Sequence, residues 1–139
     1  MTACIDTNVL SALLGAEPNA PAISGTLNTL RRAGSLVIHG SVYAELLAAP
    51  GNKQSHLDSF LRRGQVGVDW ETTEAIWQMS GRAYSAYARR RVRSGGGQPR
   101  RILADFLIGA HALSLGASLV TLDDTHYRSA YPTLALVMP

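Results

Sequence analysis

Two rhythms of apolar residues run along this chain. Short apolar runs at 2–6 (TACID), 35–40 (SLVIHG), 65–70 (QVGVDW), 118–123 (SLVTLD) and 134–138 (LALVM) read as buried strands. Between them the spacing becomes helical. NVLSALLG at 8–15 stops at a glycine, and EPNAPA at 17–22 is a connector. Ile23, Leu27 and Leu30 resume helical spacing until RRAG supplies a basic last turn and a terminal glycine. SVYAELLAAPG at 41–51 is ended by Pro50-Gly51, and QSHLDSFLRRG at 54–64 repeats the basic-then-glycine ending. A long helix is expected over roughly 71–93, broken by SGGGQP at 94–99, which reads as a flexible loop. RRILADFLIGAHALSLG at 100–116 follows as a helix, almost wholly apolar from Ile102 to Leu113. The order strand, helices, strand, helices, strand, helices, strand, strand predicts an α/β fold with a mainly parallel sheet, in one domain over 1–139.

Composition narrows the class. With 139 residues, 46% of them hydrophobic, the chain can build a core without staples, and its one cysteine, Cys4, cannot form an internal disulfide. No basic start with an apolar run behind it marks a signal peptide. No apolar stretch nears the ~20 residues that span a bilayer. A soluble cytoplasmic protein is the expectation. The net charge is +3 and unevenly spread: no acid lies between Glu74 and Asp105, while Arg82, Arg89, Arg90, Arg91, Arg93, Arg100 and Arg101 do. Such a block reads either as a solvated helix face or as a surface for a polyanion, nucleic acid or an acidic protein.

The ten acids are placed tellingly. In open parallel sheets, ligands bind at the carboxyl ends of the strands. Asp6 ends the first expected strand, Asp123 the fourth with Asp124 beside it, Glu45 lies one turn into the helix after the second, and Asp105 lies near the start of the helix before the fourth. Each has an ordinary alternative. Asp6 also reads as an N-cap, Asp105 as one if its helix starts at Phe106, Glu45 as an exposed helix residue, and Asp123 and Asp124 as turn residues. Two carboxylates at ~5 Å in an effective dielectric of ~20 repel by about 3 kcal/mol, so convergent acids call for a counterion. Mg²⁺ or Mn²⁺, hard cations with oxygen ligands, fit best. His39, His56, His111 and His126 show no zinc spacing, and His111 reads as a structural or surface residue. Carboxylates holding Mg²⁺ beside an arginine-rich surface suit phosphodiester hydrolysis, with Arg89, Arg90, Arg91 and Arg93 docking RNA. No phosphate-binding glycine loop and no serine elbow occurs.

CIDTNVL, SVYAELL, LADFLIGAHAL and LVTLDDTHY, in this order and spacing, resemble the PIN-domain family, and most of all the VapC-type toxins of bacterial toxin–antitoxin pairs. The resemblance covers essentially the whole chain. It implies a three-layer α/β/α sandwich with a sheet of about five strands. It implies an acidic quartet, Asp6, Glu45, Asp105 and Asp123, around Mg²⁺ or Mn²⁺, with Asp6, Asp105 and Asp123 as metal ligands. Thr7, Asn8 and Thr121 match the family's supporting positions, and Asp124 is an extra acid beside the site. It further implies an endoribonuclease that works as a homodimer and is silenced by a cognate VapB-like antitoxin. Two other readings compete: a regulatory module acting with its antitoxin as a DNA-bound repressor, and a phosphatase of the haloacid dehalogenase type. The latter needs a D-x-D pair, and its second position here is Asn8.

Overall fold

The structure, a computed structural model, describes residues 1–97 and 100–139. Residues 98 and 99, the end of the expected SGGGQP loop, lie outside the described residues. Five strands, β1 (Thr2–Ile5), β2 (Ser35–His39), β3 (Val66–Asp69), β4 (Ser118–Val120) and β5 (Leu136–Val137), form one sheet in the order β3-β2-β1-β4-β5. Every pairing is parallel; Cys4, for instance, lies between Val37 and Leu119. Parallel pairing requires long crossovers, and helices supply them. Among the described residues these are α1 (Thr7–Leu14) and α2 (Ala20–Ala33) before β2, and α3 (Gly40–Ala48) and α4 (Gln54–Arg63) before β3. They continue with α5 (Glu74–Arg93) and α6 (Leu103–Ser114) before β4, and α7 (Asp124–Ala130) before β5. The chain runs outward from β1 to β3, then returns to β4 on the other side of β1. With right-handed crossovers, the helices of the two runs cover opposite faces. The expected α/β fold with a five-stranded parallel sheet is what forms.

The termini of the elements follow local chemistry. Gly15 and Gly64 end α1 and α4, and Gly116, at φ +61°, ends the turn after α6 in a conformation few other residues adopt. Gly34 is needed for a different reason: a Cβ there would lie 1.8 Å from the Met1 carbonyl oxygen. Helix α6 is buried from Phe106 to Ala112, which explains its near-continuous apolar sequence. Its Gly109 sits against the Tyr131 ring, and Tyr131 donates its hydroxyl hydrogen to the Phe106 carbonyl at 2.7 Å.

Three sequence expectations need correction. A helix, α7, separates the last two strands. Its seven residues carry too short an apolar pattern to register as periodic, and an Asp123 cap is what starts it. The connector at 17–22 is shorter than expected, because α2 begins at Ala20 with Pro21 in its first turn, where a missing N–H costs nothing. Helix α6 begins at Leu103, so Asp105 occupies its third position and is not its N-cap. No helix of the described residues is long and apolar enough to cross a membrane.

Candidate functional site

The chain reverses direction across the sheet between β1 and β4, and the crevice of such a fold opens beyond the carboxyl ends of those neighbours. Asp6 follows β1 directly, and its N–H donates to the Val120 carbonyl at 2.9 Å, carrying the β1–β4 ladder one residue further. Its side chain caps α1, accepting from the Thr7 N–H at 2.7 Å through Oδ1. Oδ2 accepts from the Thr121 hydroxyl at 2.8 Å and the Tyr127 hydroxyl at 3.1 Å. The cap and the site are therefore the same carboxylate. Asp6 is only 6% exposed. Burial pushes its carboxyl from the ordinary 3.8 up to about 6, against the pull of those three hydrogen bonds, and the nearby Asp105 charge adds to the rise.

A cleft of about 260 Å³ opens over Asp6, and Glu45, Asp105 and Asp123 line it too. The four acids arrive on four different elements. Glu45, from α3, accepts the Thr7 hydroxyl hydrogen at 2.6 Å, so it is held and is not a free surface residue. Asp105 accepts from the Ile102 N–H at 3.1 Å, closing the first turn of α6 from inside it. Asp123 caps α7 with a 3.4 Å contact from the His126 N–H, and its own N–H donates to Thr121 Oγ1 at 3.0 Å. Thr121, wholly buried, thus links Asp6 to Asp123. Asn8 accepts from the Leu122 N–H at 3.2 Å, tying α1 to the turn after β4. Thr7, Asn8 and Thr121, expected as supports, each make a defined contact within the cleft's frame.

Asp124 does not line the cleft. It points along α7 and pairs with Arg128 at 2.9 Å, which holds its carboxyl below the ordinary range. The arginine run also divides. Arg90 and Arg91 border the neighbouring depression, while Arg89 and Arg93 line others on a different face of α5.

Sequence reasoning missed three members of the site. Arg101 reaches Asp123 at 2.6 Å; burial works against its charge, but the hydrogen bond and charge of Asp123, with Asp105 beyond, keep its pKa above the ordinary value. Tyr127 is the second hydroxyl on Asp6. His126, buried and held below its ordinary pKa chiefly by that burial, donates from Nε2 to the Asp105 carbonyl at 3.2 Å. The DDTHY stretch contained the last two. Only the fold of α7 turns them toward the acids. His111 lies elsewhere, 1% exposed, between Asp69 at 2.9 Å and the Cys4 thiol at 3.8 Å. It is structural, and burial pushes the Cys4 thiol up to about 12, too high for a nucleophile.

Four carboxylates with the Thr7, Ser11 and Tyr127 hydroxyls line the cleft beside the Asn8 amide and the His126 ring, and oxygen-rich sets of this kind are what a hard divalent cation prefers. Among the described residues, no group of three or more acids, histidines or cysteines stands close enough together to hold a metal ion by itself as the side chains lie. An ion there would keep part of its water shell, as Mg²⁺ commonly does. Among the described residues, the one strong positive charge lining this cleft is Arg101, at its Asp123 side.

Residues 3–130 match the family model described as the PIN domain. No curated protein matches the sequence. Among solved structures, the chain is similar to one in VapBC2 from Rickettsia felis bound to a promoter DNA fragment, with TM-score 0.70, 23% identity, and 99% and 98% of the two chains covered. It is similar to a chain of VapBC-1 from nontypeable Haemophilus influenzae, with TM-score 0.68, 23% identity and coverage of 99% and 98%. It is also similar to a chain of FitAcB from Neisseria gonorrhoeae, with TM-score 0.64, 22% identity and coverage of 96% and 95%.

Proposed function

The chain belongs to the PIN domain family, and from that premise we propose that it is a Mg²⁺- or Mn²⁺-dependent endoribonuclease, the toxin of a toxin–antitoxin pair. The observation that carries this reading is the convergence of Asp6, Glu45, Asp105 and Asp123, from four elements, on one cleft. Asp6, Asp105 and Asp123 would hold the ion. When bound, it supplies Lewis acidity toward water and charge neutralisation on the phosphate. The protein's own groups do the rest. Thr121 and Tyr127 fix the orientation of Asp6, and Thr7 fixes Glu45. Glu45, lining the same cleft, would accept a proton from the attacking water. Arg101 neutralises Asp123 and lines the same cleft.

The similar structures are of antitoxin complexes, which supports a cognate VapB-like partner for this chain; the homodimer belongs to the same proposal. The purified chain with Mg²⁺ or Mn²⁺ should cut single-stranded RNA, EDTA should stop it, and Asp105→Asn should lose the activity with its fold intact. Full cleavage by that variant would refute the assignment. The similar VapBC2 structure, bound to promoter DNA, favours a second reading, a repressor module with little catalysis of its own. It takes over if the free chain leaves RNA whole while the pair retards promoter DNA.

A further inference from the structure

Beside the carboxylate cleft lies a second depression of about 340 Å³, and the two share Arg101 and His126 as a common wall. Its other sides are Tyr87, Arg90 and Arg91 from α5 and Thr125 from α7. Helical spacing explains the selection. Residues 87, 90 and 91 stand at i, i+3 and i+4 and share one face, whereas Arg89 and Arg93, four apart, share another. A run of basic residues that looks uniform in sequence is thus split. Two arginines border the cleft's neighbour, and two line depressions with Ser85 and no carboxylate.

The second depression is held in shape. The Tyr87 hydroxyl accepts from the Arg100 and Arg101 N–H groups at 3.0 and 3.2 Å, and the ring lies 5.6 Å from Phe106. Tyr84 donates to the Arg101 carbonyl at 3.1 Å. Arg91 donates from its guanidinium to the Gly96 carbonyl. Three guanidiniums, an aromatic ring and a hydroxyl surround a volume in the range of small-ligand pockets. Guanidiniums suit phosphate, and aromatic rings suit an unstacked base.

We propose that this depression is a nucleotide subsite for single-stranded RNA, receiving the nucleotide next to the scissile phosphate. Arg90 and Arg91 take its phosphate, and Tyr87 supplies a face for its base. The identity of the ligand rests on the nuclease reading above. An acidic peptide would satisfy the arginines alone. A polynucleotide satisfies both depressions at once, because the shared wall lets one strand pass from the anionic cleft into the cationic pocket.

The test measures binding without cleavage. Wild-type protein in EDTA is titrated with a short fluorescein-labelled single-stranded RNA across a salt series, followed by anisotropy. Two double variants remove equal charge: Arg90→Gln with Arg91→Gln, and Arg89→Gln with Arg93→Gln. The first should weaken binding at least about fivefold and reduce the slope of log affinity against log salt by about 1.4, the value for two phosphates of a single strand. The second should change affinity less than about twofold. Thr125→Glu, on the opposite wall and in a first helical turn that favours an acid, should weaken binding while leaving the circular dichroism spectrum unchanged. Equal effects from the two doubles, or full RNA affinity in Thr125→Glu, overturn the subsite. A labelled oligo-glutamate peptide titrated in parallel separates the two ligands: a first double that loses the peptide and keeps RNA overturns the subsite as well. Discriminating binding in a protein that never cuts RNA would instead refute the nuclease reading and, with it, the placement beside a scissile phosphate, leaving a binding site for single-stranded RNA.

Discussion

Asp6→Asn should make the metal-free protein more stable. The ordinary carboxyl value of 3.8 becomes about 6 in the folded state, chiefly through burial. Each tenfold change in proton affinity is worth about 1.4 kcal/mol, so ionised Asp6 costs the folded protein about 3 kcal/mol relative to the unfolded chain. The sign follows from the direction. The folded state binds this proton more tightly, so the wild-type protein is favoured below pH 3.8, loses stability as pH rises through the interval to about 6, and is level above it. Asparagine keeps the Thr7 cap through its oxygen and offers its amide hydrogens to Thr121 and Tyr127, whose hydroxyls can accept. Rearranging that network should cost about 1 kcal/mol, leaving a net gain of about 2 kcal/mol at neutral pH. For a chain of this length that corresponds to a rise in Tm of about 8 °C. Far-ultraviolet melts in EDTA from pH 4 to pH 8 read it out. The gap should open between pH 4 and 6 and hold above. A variant that melts below the wild type at pH 7.5, or a gap that does not change with pH, refutes the reasoning. Millimolar Mg²⁺ should narrow the gap, because an ion that binds only the folded wild type stabilises it by mass action.

Two further outcomes follow from neighbouring contacts. Arg101→Gln removes the guanidinium that rests on Asp123 at 2.6 Å. Since a partly exposed pair of this kind contributes up to about 1 kcal/mol, Mn²⁺ should bind about two- to fivefold more tightly by electron paramagnetic resonance titration; unchanged or weaker binding counts against Arg101 as a competing cation. Gly109→Ala places a Cβ 2.4 Å from two carbons of the Tyr131 ring, which its hydroxyl pins to the Phe106 carbonyl. Overpacking of about 1–3 kcal/mol should exceed alanine's helical advantage of about 1 kcal/mol, lowering the urea midpoint. A raised midpoint would show that the ring yields freely.

Strands and long helices were legible because burial imposes a period on them. The apolar stretch from Ile102 to Leu113 marked a core-facing helix, and α6 is buried from Phe106 to Ala112. The acids at strand ends were legible because topology, not distance in sequence, decides where such ends meet: Asp6 and Asp123 are brought together by the β1–β4 pairing. What escaped depends on side-chain direction in short segments. Helix α7 has seven residues, so no repeat announced that His126 and Tyr127 face the site while Asp124 turns to Arg128. Arg101 sat in a basic block until the start of α6 at Leu103 fixed which arginine reaches an acid. His111 gave no sign of its partner, because Asp69 lies 42 residues away on the end of β3.

Asp6 and Asp123 begin helices as well as lining the cleft. That dual duty constrains how the chain can lose its chemistry. Alanine at either place removes a cap worth about 1 kcal/mol along with the carboxylate, while asparagine caps as well as aspartate does. A single-base change from an aspartate to an asparagine codon therefore silences the charge and spares the fold. On the toxin reading, cells escaping their own toxin should accumulate asparagine at these two positions more often than alanine. The inactive descendants would persist as folded proteins, still able to occupy a partner.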